Sequence, residues 1–141
     1  MIKNIITLCL ISVLFIQADL NKNEGLDKKW ELIKIENLKG GDVFDQNNFP
    51  FKKAFTMEIK EGKMSYSLIC NNCSQSFETA SETSVKIGIS GCTRAFCEGE
   101  DDYWKVLQFD KCTTYSFDDE NDQLELRSEE FQYTFRELDE E

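Results

Sequence analysis

Histidine is absent from the 141 residues of this chain. That removes the usual general base near neutral pH and the commonest metal ligand. Positive charge is also scarce. Sixteen Lys and Arg face 27 Asp and Glu, for a formal charge of −11. Nucleic-acid affinity rests on phosphate neutralisation by Lys and Arg, and anionic membrane surfaces attract the same residues. The composition argues against both partners. Pro50 is the only proline, and there is neither a low-complexity linker nor an internal repeat.

Long apolar runs are confined to one, Ile5 to Ile16. It is too short to span a bilayer as a helix. Lys3 precedes it and Gln17-Ala18-Asp19 follows, so residues 1–18 read as a signal peptide cut after Ala18. Cys9 lies mid-run, whereas a lipoprotein cysteine would end it. The expectation is a secreted or periplasmic chain with no lipobox and no membrane span after cleavage. Removing 18 residues from 141 leaves 123, enough for one domain with one core. A monomer is expected.

Apolar alternation dominates what remains. Residues 19–29 form a polar lead-in, 30–136 the domain and 137–141 an acidic tail. Trp30 to Ile35 reads as a strand, and 37–50 as a loop. Ala54 to Ile59 and Met64 to Leu68 flank the turn Glu61-Gly62-Lys63, a hairpin signal. Ser76 to Thr79 and Ser84 to Ile89 form a second hairpin about Ser81-Glu82-Thr83, with Val85, Ile87 and Ile89 on one face. Acidic residues 100–102 precede Tyr103, Trp104, Val106 and Leu107 at helical spacing, so a short helix is expected over 100–109, with Trp104 and Leu107 toward the sheet. Thr113 to Phe117 is a strand, and 124–126 with 131–135 a last hairpin.

Five of the six cysteines follow the signal, and in an exported chain disulfides are the first expectation. Antiparallel strands pair one to one. With the turn centred near Glu82, Cys73 and Cys92 should meet at the hairpin's open end. Cys70 and Cys97, further out on the same arms, would form a nested bridge, leaving Cys112 as a buried free thiol. An alternative joins Cys97 to Cys112 and leaves Cys70 free.

The order of motifs resembles a known family. Trp30-Glu31-Leu32, Cys70-Asn71, Thr93-Arg94-Ala95-Phe96-Cys97, Glu100 with Tyr103 and Leu107, then Tyr115, Leu124, Leu126 and Phe135, are similar to the META domain of HslJ-type exported proteins. The resemblance covers nearly all of the mature chain. Ile69 stands where that family usually has Gly before Cys-Asn, and Gln75 or Ser76 where it has a later Gly. The pair Cys73 and Cys92 is like family variants with a second bridge. The resemblance implies a small, partly open β-barrel with one helix against it, in proteins linked loosely to stress, antibiotic tolerance or virulence. No enzyme activity is implied.

Cys70-Asn71-Asn72-Cys73 is formally C-x-x-C, but no helix pattern follows it to lower a thiol pKa. The spacing C-x₂-C-x₁₈-C-x₄-C approaches a zinc ribbon, against which the signal peptide and the resemblance both stand. Asp118 to Asp122 lacks the Gly and closing Glu of an EF-hand. The sequence therefore points to a mainly β (α+β) barrel of antiparallel hairpins with one short helix. No catalytic residue, metal ligand or cofactor is expected. Its function is expected to be non-enzymatic, either binding or an envelope or stress-related accessory role, with an unknown partner. The alternatives are a carrier of a small apolar ligand in the barrel, or a zinc or thiol-redox module.

Overall fold

The computed structural model describes residues 25–51 and 53–139. The expected signal peptide, most of the lead-in and the last two residues of the tail lie outside them. Ten strands form a nearly closed antiparallel barrel: β1 (Lys29–Asn37), β2 (Val43–Asp45), β3 (Thr56–Lys60), β4 (Lys63–Ser67), β5 (Asn72–Thr79), β6 (Val85–Ile87), β7 (Gly91–Cys92), β8 (Thr114–Asp118), β9 (Gln123–Arg127) and β10 (Phe131–Glu137). The order is β6-β5-β4-β3-β1-β10-β9-β8, with β2 beside β1 and β7 beside β5. Two meanders, β3 to β6 and β8 to β10, therefore flank β1. Their free edges meet where Ser84 bridges Thr114, through Val85 N–H to Thr113 O (3.0 Å) and Tyr115 N–H to Thr83 O (2.9 Å).

The residue pattern explains each turn of this path. In β1 the inward residues are Trp30 and Leu32, then Ile35. The phase changes because the ladder to β10 slips between Leu32 and Lys34. Such a bulge bends the strand, and on its other edge β3 pairs the first half while β2 pairs the second. The β3–β4 hairpin turns through Glu61 and Gly62, with φ of 50° and 74°. Two central residues at positive φ make the turn whose twist matches the strands. In β9 and β10, Leu124, Leu126, Phe131, Tyr133 and Phe135 are buried, as period two requires.

The second hairpin departs from expectation at its far end. Phe77 pairs with Ile87, but Ser74 pairs with Gly91, so the second arm carries one extra residue. The slip corrects the reading that kept Ile89 on the buried face with Val85 and Ile87. Ile89 is 88% exposed. The slip is also why Cys73, rather than a neighbour, faces Cys92. The lead-in is tied down at its end too: Leu26 is buried and accepts a hydrogen bond from Trp30 Nε1 at 3.0 Å.

Helix α1 spans Asp101–Val106, and a single 3₁₀ turn follows at Phe109–Lys111. Together they cross the barrel end between β7 and β8. Here the expected inward pair is corrected. Tyr103 and Leu107 are buried, whereas Trp104 is 37% exposed. A helix of six residues has too few turns for period alone to select between adjacent aromatics. The consequence is testable by urea denaturation. Leu107→Ala should cost about 2–5 kcal/mol, and Trp104→Ala less than about 1 kcal/mol. Equal losses would mean the helix face is misassigned.

Candidate functional site

Burial and exposure diverge most sharply around the cysteine segment. Cys73 pairs with Cys92, their Cα atoms 4.1 Å apart, and Cys70 pairs with Cys97 at 6.2 Å. The bridges span sequence separations of 19 and 27 residues. In a chain-entropy account, loops of this size are worth about 3 kcal/mol each. Cys112 is free and buried just past the 3₁₀ turn, and no bridge joins it to Cys97.

Between the bridges, Asn71 acts as a four-way tie and is only 5% exposed. Its Nδ2 donates to Glu100 Oε1 at 2.5 Å and to Ala95 O at 2.8 Å. Its Oδ1 accepts from Ala95 N–H at 2.7 Å and from Thr93 Oγ1 at 3.0 Å. The other Glu100 oxygen accepts from Cys70 N–H at 3.1 Å. Every polar atom of the Asn71 amide is thus used, as burial requires. The motif Cys70-Asn71 and the motif Thr93 to Cys97 are one hydrogen-bonded unit. The sequence pattern puts Glu100 in an acidic helix start. Asp101 and Asp102 do occupy the first turn of α1, but the Glu100 carboxylate points away, into the loop. Its only signal in the sequence was its place in the motif order.

That unit presents an unusual surface. Phe96, between the bridged Cys92 and Cys97, is 97% exposed, and Ile89, three residues before Cys92, is 88% exposed. Phe96 and Trp104 line a surface depression of about 470 Å³ together with Arg94, Asn71 and Glu100. A second depression of similar volume crosses the outer face of β3 to β5 and is lined by Thr56, Glu58, Ser65, Ser67, Asn72 and Ser74 among others.

The barrel interior is occupied. Phe109 enters it from the 3₁₀ turn, with ring centroids 4.8 Å from Tyr133, 5.7 Å from Tyr66, 5.8 Å from Phe55 and 6.1 Å from Phe135. The Tyr133 hydroxyl donates to Val106 O at 2.5 Å and accepts from Gln108 N–H at 3.0 Å, which pins the helix end over the mouth. Burial pushes the Tyr133 phenol well above its ordinary range.

Metal and thiol chemistry find little to use. Donor atoms of Cys70, Cys97 and Glu100 lie within 4.8 Å of one another, but metal binding needs thiolates, and both sulfurs are joined in a bridge. The Cys112 thiol is pushed up to about 12, first by burial and then by the Asp110 charge. Asp118 holds Asn121 Nδ2 at 2.5 Å. The turn's acidic side chain is thus engaged in closing its own loop. Among the described residues no helix is long and apolar enough to cross a membrane.

No family model, curated protein or solved structure matches this chain.

Proposed function

We propose that the chain is an exported, non-enzymatic binding domain, similar to the META domain of HslJ-type proteins, and that its contact surface is the disulfide-held segment from Ile89 to Cys97. One observation carries this reading. Phe96 stands almost fully in solvent on a stretch held by the bridged Cys92 and Cys97 and by the Asn71 tie to Ala95, and Ile89, three residues before Cys92, is nearly as open. Leaving large apolar side chains in water is unfavourable by about 25 cal/mol for each Å² that a partner could cover. Pre-ordering the segment lowers the entropy lost on association.

The alternatives have less behind them. A carrier needs an open interior, and here the rings around Phe109 fill it. A redox or zinc module needs accessible thiolates, and the one free thiol among the described residues is buried. The test compares the wild type with the double variant Phe96→Ser, Ile89→Ser as immobilised bait for proteins of the exported fraction. Capture of any specific partner should fall about tenfold, the scale of a lost hot spot. Insulin reduction by the wild type should stay at background. Undiminished capture by the double variant would overturn the assignment of the surface. Turnover that disappears in Cys70→Ser would overturn the non-enzymatic reading.

A further inference from the structure

We infer that the occupant of this surface is a cationic amphipathic protein segment, in which Lys or Arg alternates with aliphatic or aromatic side chains. The inference rests on the binding-domain reading and deepens it.

The first argument is the make-up of the surface. Its apolar part is Phe96 and Trp104, which line one depression, and Ile89, exposed one residue before Ser90 of the same lining. Two of these offer aromatic faces, to which ammonium and guanidinium groups are drawn by the ring quadrupole. Its charged rim is mainly acidic. Glu98 and Asp101 are exposed beside the bridge and at the helix start, and neither has an ion-pair partner among the described residues. Asp102 is different, being engaged by Lys105 at 2.9 Å. Arg94 is the single cation of the 89–97 segment. It would set register against an acid or a carbonyl of the partner rather than reverse the sign of the site.

The second argument is the field of the whole chain. A formal net charge of −11 accelerates encounter with cations over anions. A second copy carries the same net charge, so a two-fold contact would bring two acidic chains together. Like charges placed face to face suppress such a pairing. Anionic lipid and nucleic acid meet the same repulsion. An uncharged apolar segment would use Phe96 and Ile89 but leave the rim acids partly desolvated and unpaired, at a cost. Only a segment carrying both apolar groups and positive charge uses the apolar centre and the rim together.

The experiment follows a short fluorescent peptide alternating Lys and Leu by anisotropy, with the Glu/Leu peptide of the same pattern as control, at low and at physiological ionic strength. The full-length mature protein should bind the Lys/Leu peptide at least about tenfold more tightly. Phe96→Ser with Ile89→Ser should lower that affinity by about tenfold at both ionic strengths. Glu98→Gln with Asp101→Asn should lower it about threefold at low salt and flatten its salt dependence, because screened rim charges act mainly at low salt. The matched-charge control is Asp119→Asn with Glu120→Gln. It lies at the β8–β9 turn, where Asp119 lines a separate depression with Gly25 and Ser81, and it should change little. Near-UV circular dichroism verifies that each variant is folded.

Equal loss in the two charge variants would reduce the effect to net charge and overturn the inference. So would equal binding of the Glu/Leu peptide. A dimer in sedimentation that dissociates on Phe96→Ser would assign the face to a second copy and overturn the occupant. If the Lys/Leu peptide fails to bind while the Phe96, Ile89 variant still loses capture from the exported fraction, the occupant is wrong and the binding surface stands. If capture is also unaffected, the binding-domain reading fails with it.

Discussion

Phe109→Ala is expected to be the most damaging single substitution in this chain, at about 3–5 kcal/mol. Phe109 is 1% exposed. It lies within ring-contact distance of Phe55 on the approach to β3, Tyr66 on β4, and Tyr133 and Phe135 on β10. Its ring therefore touches both meanders from a segment that belongs to neither. Truncation removes its own burial and leaves a cavity that rigid strands cannot collapse to fill. Domains of this size are stable by only about 5–15 kcal/mol, so about a fifth or more of the margin is at stake. Thermal unfolding should shift down by at least about 10 °C. Phe109→Leu keeps most of the volume and should cost less than half as much. An unchanged melting temperature in Phe109→Ala would mean that the 3₁₀ turn does not plug the barrel.

The second expected result is a steep loss of stability between pH 9 and 12, much of it assigned to one thiol. Cys112 in the folded chain is pushed up to about 12 from an ordinary value of 9.0, by burial and then by Asp110. Above pH 9 the unfolded chain sheds this proton and the folded chain keeps it. The unfolded state then binds fewer protons, so stability falls as pH rises. The contribution is intact below pH 9 and lost by about pH 12. Three pK steps correspond to something on the order of 4 kcal/mol. Burial also raises the phenols of Tyr66, Tyr103, Tyr115 and Tyr133, and each adds a loss of the same sign at higher pH. Urea midpoints measured from pH 8 to 11 for the wild type and Cys112→Ala separate the thiol from the phenols. The wild-type curve should fall more steeply, and parallel curves would mean that Cys112 is not held as a neutral buried thiol.

Much of the barrel was legible because its signal is local. Alternation marks β3, β4, β9 and β10, and Glu61-Gly62 marks a tight turn. A turn centred on Glu82 brings Cys73 near Cys92 by counting alone. What counting missed were single-residue slips. One in β1 moves the inward phase from Leu32 to Ile35. Another, before Gly91, turns Ile89 out to solvent. A bulge is decided by pairing partners distant in sequence, so nothing within the strand announces it. β2 was read as loop because three residues, Val43 to Asp45, carry no periodicity; it exists because the second half of β1 offers it an edge. The helix was foreseen, but not which aromatic it buries. In the site, the cysteines were visible, and Asn71 and Glu100 stood in the motif order, but their pairing was not legible. An Asn and a Glu far apart in an acidic chain give no local sign of contact until the fold brings them within hydrogen-bond reach.

The position of β1 has a consequence for assembly in time. One of its edges is taken by β10, in a ladder from Trp30 with Glu137 to Asn37 with Phe131. The first strand of the barrel therefore has no permanent neighbour on that edge until the last strand exists. A chain synthesised N-terminus first can zip the β3 to β6 meander early, since those pairings are local. It must then hold Trp30, Leu32 and Ile35 uncovered while the remaining sequence arrives. Non-local closure of this kind slows folding, and the waiting strand edge is a template for pairing with another chain. Loss of the final hairpin would make that delay permanent, so truncations within β9 or β10 should give aggregates rather than a smaller soluble barrel.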